Sequence, residues 1–160
     1  MVAKFFNYDG MHEILEIGIL ELDRKALIGA VKDGTIDCIA TDHAPHNIEE
    51  KENDFIHASC GMIGLETAFS SSYTALKKEK ISIEKIVSLF TLGPSKTMNI
   101  DKQFLSKEAD AEFVVIDLNQ KWEVSKNDFK SKSSNSGFIG EELTSRVTHT
   151  ISGKNCFINS

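Results

Sequence analysis

The sequence predicts an α/β chain, with helices and a strand in residues 1–101 and a β-rich stretch in residues 102–160. Three observations carry this. The apolar β-type run Ile36-Asp37-Cys38-Ile39-Ala40-Thr41 reads as a buried strand. Apolar residues at helical spacing lie on both sides of it. From about residue 102 the apolar residues gather instead in short runs separated by polar turns.

Residues 1–20 show no clear period. Glu21 to Lys32 sets Leu22, Ala26, Ile28 and Val31 among Asp23, Arg24, Lys25 and Lys32, the pattern of a short amphipathic helix. Asp33-Gly34 ends it, because glycine adopts the left-handed C-terminal cap without strain. After the Ile36–Thr41 strand, residues 43–60 read as a long polar loop rich in Glu49, Glu50, Lys51, Glu52, Asn53 and Asp54. A loop of that length in a compact domain is usually functional or mobile. Helical signals return over Ile63–Lys78, with Leu65, Ala68, Phe69, Tyr73 and Leu76 at helix spacing. Ser82 is an N-cap for a further helix with Ile83, Ile86, Val87, Phe90 and Leu92 on its buried face. Gly93-Pro94 breaks that helix. Phe113–Ile116, Trp122–Val124, Arg146–Ile151 and Cys156–Ile158 read as short strands, with a Ser- and Asn-rich loop at Ser131–Gly137.

The bulk composition bounds the function. With 160 residues, 41% hydrophobic and 26% charged, the chain can bury a core as one medium domain or part of a larger one. A net charge of −6 argues against nucleic acid and an anionic membrane surface as partners. No apolar run approaches a membrane span, and the start lacks the pattern of a signal peptide, so a cytoplasmic location is expected. Cys38, Cys60 and Cys156 are odd in number and widely spaced, the usage of reduced thiols rather than a disulfide framework.

Chemistry concentrates in Asp42-His43-Ala44-Pro45-His46, directly after the apolar run. Asp, His and Pro are also ordinary turn residues, but five such positions without a gap favour a site at a strand tip, where parallel α/β folds bind ligands. Asp42 can serve as metal ligand, as general base, or as both, since a divalent cation lowers the pKa of bound water and a nearby carboxylate can relay its proton. His46 suits a metal or an anionic substrate, the second being easier to build after a proline. His43 divides evenly between a functional role and structural hydrogen bonding. One carboxylate and two imidazoles do not complete a zinc site. His12, His57 and His149 are isolated and read as surface or partly buried rings. Cys60-Gly61-Met62-Ile63-Gly64 ends the loop and opens the next helix, where glycines let backbone N–H groups approach a ligand. No base is placed beside Cys60, so its thiol reads as a small packing group.

Together these residues resemble the dihydroorotases, specifically the long-chain class of the metal-dependent amidohydrolases. The matching segments run from Asp23-Arg24-Lys25-Ala26-Leu27 through Asp33–His46, Glu50-Lys51 and Gly61-Met62-Ile63-Gly64-Leu65-Glu66-Thr67-Ala68. With weaker likeness over residues 82–100 and the β-rich tail, about four-fifths of the chain is covered. The resemblance implies a TIM-type (β/α)8 barrel whose last strand carries Asp42, flanked by a small β-sandwich built from both chain ends. It implies the reversible, zinc-dependent interconversion of dihydroorotate and N-carbamoyl-L-aspartate in pyrimidine biosynthesis. Carried over, Asp42 is a Zn2+ ligand and the catalytic acid/base. His46 contacts the substrate carboxylate, and the backbone at Cys60-Gly61 holds the ring. Allantoinases and dihydropyrimidinases share the strand-end Asp but usually not the Ala-Pro-His after it.

Several positions depart from the family. Its remaining metal ligands, including an H-x-H pair, come from earlier strands, and a whole (β/α)8 barrel takes about 250 residues. The family's Asn-Pro-Pro-Leu-Arg segment is replaced by Leu15-Glu16-Ile17-Gly18-Ile19, and its Asn-Pro-Ala by Gly93-Pro94-Ser95. Two turn glycines are replaced by Gln103 and Glu108. The expectation is the C-terminal third of a cyclic amide hydrolase acting on a small molecule, with residues 1–101 as the end of the barrel and 102–160 as part of the sandwich. Such a piece is inactive alone and takes the rest of its barrel from a second chain, or associates as a homo-oligomer. The competing readings are another cyclic amidohydrolase, a non-catalytic assembly partner of aspartate transcarbamoylase, and a truncated reading frame. Intact Asp42 and His46 count against the assembly role.

Overall fold

A computed structural model describes residues 21–54, 56–100, 106–107 and 109–159. The readings made for residues 1–20 (including His12 and Leu15–Ile19), for Gln103 and for Glu108 lie outside the described residues.

Helix α1 (Glu21–Asp33) forms where its periodicity places it. It buries Ile28 and Val31, while Leu22 and Ala26 stay exposed. Gly34 takes φ +88° to end it. Asp33 then accepts the Thr35 N–H at 2.9 Å, and hydrogen bonding from Thr35 holds its carboxyl below the usual carboxylate range.

The run Ile36–Thr41 is extended but joins no β-ladder. A strand exists only through a neighbour, and none lies beside it among the described residues. Its backbone is tied instead by Ile36 N–H to the Ala30 carbonyl and Ile39 N–H to the Leu89 carbonyl, both at 3.0 Å. Ile36 and Ile39 pack against a core of Ile28, Val31, Tyr73, Leu76, Ile81, Ile86 and Leu89. Full burial of such a side chain contributes about 1.5–3 kcal/mol, and the half-buried Ile36 and Ile39 gain part of it.

The loop expected over residues 43–60 contains one helical turn, α2 (Ile48–Lys51). Asn47 Oδ1 accepts the Glu50 N–H at 2.8 Å and the Glu50 carboxylate accepts the Asn47 N–H at 3.3 Å. Such a reciprocal cap satisfies two orphan donors. The next helix, α3 (Ala68–Lys78), starts five residues later than its apolar spacing suggested. The stretch before it is tied into the site instead, the Ile63 N–H bonding the Asn135 carbonyl and the Gly64 and Leu65 N–H groups bonding His43 Nδ1.

Ser82 caps α4 (Ile83–Ser88) as expected. Val87 and Leu92, expected on its buried face, point outward at 37% and 61% exposure. Gly93-Pro94 does not break a helix but lies in the first turn of α5 (Leu92–Thr97). Proline is tolerated there because first-turn N–H groups lack intrahelical partners. A Cβ on Gly93 would sit 1.7 Å from the Asp37 carbonyl oxygen, so glycine is what lets α5 close on the extended segment.

The tail forms an antiparallel sheet in the order β1 (Glu112–Glu123), β2 (Glu142–Ser152), β3 (Asn155–Ile158). The runs expected as separate strands at Phe113–Ile116 and Trp122–Val124 belong almost wholly to β1, whose register jumps between Asp117 and Lys121. There Asp117 Oδ1 accepts the N–H groups of Asn119 and Gln120, and Ser145 on β2 holds φ +79°. Met62 joins Val124, Phe138 and Leu143 in a second core. Helix α3 docks on β2 through hydroxyls: Ser70 Oγ donates to the Ser145 carbonyl at 2.7 Å, and Thr74 Oγ1 accepts the Thr144 N–H at 2.8 Å. Among the described residues no helix is long and apolar enough to cross a membrane.

Candidate active site

Asp42 follows the extended segment with φ +50°, a left-handed conformation that Asp tolerates better than most residues. The residue is exposed there. Its carboxylate meets no hydrogen-bond or ion-pair partner among the described residues. An exposed carboxylate without a partner is open to a proton, a metal or a ligand.

Residues 43–46 run against the glycine segment. Ala44 N–H donates to the Met62 carbonyl at 2.9 Å. His43 Nδ1 accepts the Gly64 N–H at 3.0 Å and the Leu65 N–H at 3.3 Å. A nitrogen accepting two N–H groups carries no proton, so the neutral ring bears its hydrogen on Nε2. Of the two roles left open for His43, the geometry gives the structural one.

His46 spans the site. Its Nδ1 lies 3.1 Å from Glu50 Oε2 and its Nε2 lies 3.0 Å from the Cys60 carbonyl oxygen. Both partners are acceptors, so only the protonated ring donates to both at once. Gly61, at φ +114°, passes so close that an added Cβ would lie 2.6 Å from Ala44 Cβ. The Gly61 carbonyl accepts from Lys51 Nζ at 3.1 Å and from Asn135 Nδ2 at 2.8 Å. The N–H groups of Gly61 and Met62 have no acceptor among the described residues.

The structure thus brings His46, Cys60 and Gly61 together and places Asp42 at the start of the segment that carries His46. His57 pairs with Asp54 at 2.7 Å on the surface, and His149 Nδ1 lies 3.0 Å from Thr148 Oγ1 on β2. Cys38, Cys60 and Cys156 are free thiols. A cleft of about 310 Å³, open to solvent and lined by Ile39, Thr41, Met62, Thr67 and Phe138 among others, carries no titratable side chain. Sequence reasoning missed Lys51 and Asn135 as supports of Gly61. Asn135 lies 74 residues away and has no periodicity to mark it; the Ser- and Asn-rich composition of its loop was the one available signal.

A zinc site needs three or four protein ligands. No group of three or more His, Cys, Asp and Glu side chains able to hold a metal exists among the described residues. Asp42 offers one ligand, and both nitrogens of His46 are engaged. The described residues do not fit a complete zinc site.

The sequence pattern of the amidohydrolase family matches residues 6–152. The dihydroorotase of Elusimicrobium minutum is 48% identical over 134 residues, 83% of this chain and 31% of that protein. The dihydroorotase of Clostridium acetobutylicum is 44% identical over 132 residues, 82% and 31% of the two chains. The chain therefore spans about a third of the length of these relatives. Among solved structures, the L-hydantoinase (dihydropyrimidinase) from Arthrobacter aurescens aligns with a TM-score of 0.78 at 27% identity, covering 87% of this chain and 32% of that one. The dihydropyrimidinase from Brevibacillus agri gives 0.75 at 21% identity over 87% and 32%, a likeness of fold. The fold is part of an amidohydrolase barrel, and the chain belongs to the amidohydrolase family.

Proposed function

We propose that this chain supplies one wall of a dihydroorotase-like active site that opens or closes a cyclic amide between dihydroorotate and N-carbamoyl-L-aspartate. The observation that carries the reading is the segment Asp42–His46, which begins at an unpartnered carboxylate and packs through Ala44 and His46 on a glycine segment with two unpartnered N–H groups. The 48% identity to a dihydroorotase supports that substrate over the hydantoins, whose enzymes are alike in fold at lower identity.

In this reading Asp42 takes the proton of the attacking water and returns it to the ring nitrogen as the amide bond breaks. The Gly61 and Met62 N–H groups face the anionic and carbonyl oxygens of the substrate, and His46 joins them by passing its Nδ1–H from the exposed Glu50 carboxylate to that of the substrate while Nε2 stays on the Cys60 carbonyl; donors to an anion are worth more than neutral pairs. Asp42 would also be one ligand of a zinc ion, which would supply an activated water, the remaining ligands lying on barrel strands outside the described residues. Residues 1–101 are the end of the barrel, and the three-stranded sheet in 102–160 is one layer of a composite β-sandwich. The site is complete only with the remaining strands, in the same or a second polypeptide, and the compartment is the cytoplasm.

The test is reconstitution. The chain is mixed with a polypeptide carrying the remaining strands of a related dihydroorotase, and hydrolysis of dihydroorotate, dihydrouracil and hydantoin is followed with zinc present. The reading predicts activity only in the mixture and a clear preference for dihydroorotate. Preference for dihydrouracil or hydantoin moves the chain to the hydantoinase class. A zinc-free chain that binds its partner and never supports hydrolysis sinks the catalytic reading.

A further inference from the structure

We infer that the Lys130–Gly137 loop of the β-rich tail is a clamp on the substrate-facing backbone at Cys60–Gly61, with Asn135 as its positioning residue. This rests on the dihydroorotase-like reading for the substrate, but its geometry is independent of it.

The loop grips the glycine segment from both ends. Glu66, just beyond the segment, accepts the Lys130 N–H at 3.0 Å and the Ser131 N–H at 2.8 Å through one carboxylate oxygen. Its other oxygen is buried without a partner. Asn135 then makes two contacts. Its backbone carbonyl accepts the Ile63 N–H at 2.9 Å, and its side-chain amide donates to the Gly61 carbonyl at 2.8 Å. The Gly137 N–H lies 3.4 Å from Met62 Sδ.

The loop's composition explains how it holds this shape. Ser131 Oγ accepts the Ser133 N–H, Ser133 Oγ the Asn135 N–H and Ser136 Oγ the Phe138 N–H. Successive hydroxyls build local turns that regular structure would otherwise supply. Phe138 beyond them is buried in the second core and anchors the loop's exit.

The consequence falls on the Gly61–Met62 peptide. A carbonyl oxygen has two lone pairs, and here Lys51 and Asn135 fill both. Lys51 reaches it from the flexible end of a long side chain, whereas the short Asn135 side chain is fixed by its own backbone bond to Ile63. With the oxygen held, the peptide plane is held, and the Met62 N–H aims opposite. The preceding peptide is held in the same way by His46 on the Cys60 oxygen. The β-rich tail thus sets the direction of the donors on the other part of the chain.

The experiment compares amide hydrogen exchange in the whole chain, its Asn135→Ala variant and its Asn135→Asp variant, which keeps the size but loses the donor. Exchange at Ala44 and Ile63, whose N–H groups bond the Met62 and Asn135 carbonyls, should rise about tenfold in both variants, that of Ile86 and Leu89 staying within twofold. Unchanged exchange at Ala44 and Ile63 overturns the clamp. Equal acceleration at all four sites reduces Asn135 to a fold-stabilising residue and also overturns it. In the reconstituted mixture, KM for dihydroorotate should rise about tenfold with kcat within twofold, and an unchanged KM overturns the positioning role. If the local exchange effect is present but the mixture never hydrolyses dihydroorotate, the clamp stands and the substrate reading is what fails.

Discussion

Replacing Gly61 by alanine probes the backbone on which the site depends. Gly61 holds φ +114°, and a Cβ there meets Ala44 Cβ at 2.6 Å. Carbon atoms rest at about 3.5–4.0 Å, so the two backbones must part by about 1 Å. That movement pulls on the Ala44 N–H to Met62 carbonyl bond of 2.9 Å, whose net contribution is about 0.5–1.5 kcal/mol. The positive φ costs an L side chain about 1–2 kcal/mol more. The stiffer unfolded chain returns about 0.4–1 kcal/mol. Gly61→Ala should therefore lose about 1–3 kcal/mol of stability. Gly140→Ala is the control: it shares a positive φ, +84°, but its Cβ meets nothing within 4 Å. It carries the conformational cost alone, about 0–1.5 kcal/mol after the same entropy correction. Urea unfolding of both variants at pH 7 separates the two contributions. Equal midpoints for the two would refute the claim that Ala44 and Gly61 are in enforced contact.

Three further outcomes follow from other contacts. Burial would raise the Asp128 carboxyl, but bonds from Ser125 and the Arg146 guanidinium outweigh it and hold it below its ordinary value. Its stabilising effect is then present above about pH 4 and lost as pH falls through the folded value. Asp128→Asn should flatten that acid dependence and cost about 1–3 kcal/mol at pH 7; urea midpoints from pH 7 to 2.5 would show an unaltered slope if the assignment is wrong. Gly93→Ala would drive a Cβ into the Asp37 carbonyl, and its melting temperature should reveal a loss of about 3 kcal/mol or more. A near-wild-type melt would show that α5 does not rest on the extended segment. Thr74→Val removes the acceptor of the Thr144 N–H, a loss of about 1–3 kcal/mol. It should speed exchange of the Thr144 amide before that of Leu89, and the reverse order would refute the docking role.

The parts legible in the sequence were those set by local rules. Gly34 ended α1, Ser82 capped α4, and the Asp42–His46 cluster stood out because four of its five residues are chemically active or turn-forming and adjoin one apolar run. What failed depended on partners distant in sequence. Ile36–Thr41 has a strand's composition but no neighbour to pair with among the described residues. Helix α3 starts late, after a stretch in which Ile63, Gly64 and Leu65 are tied to Asn135 and His43, partners far off in the chain. Gly93-Pro94 looked like a breaker because its role is to fit against Asp37, 56 positions earlier in the chain. His43 and His46 are near neighbours in one motif, and only the geometry separates an acceptor locked to two N–H groups from a ring spanning Glu50 and Cys60.

The central claim is that Asp42 moves the proton while His46 and the Gly61 backbone hold the substrate. Steady-state kinetics of Asp42→Ala and His46→Ala in the reconstituted mixture test it most directly. Loss of a positioned acid–base group typically costs about 10²–10⁴ in rate, so Asp42→Ala should lose kcat on that scale while His46→Ala chiefly raises KM. An Asp42→Ala mixture that hydrolyses dihydroorotate with wild-type kcat would contradict the account.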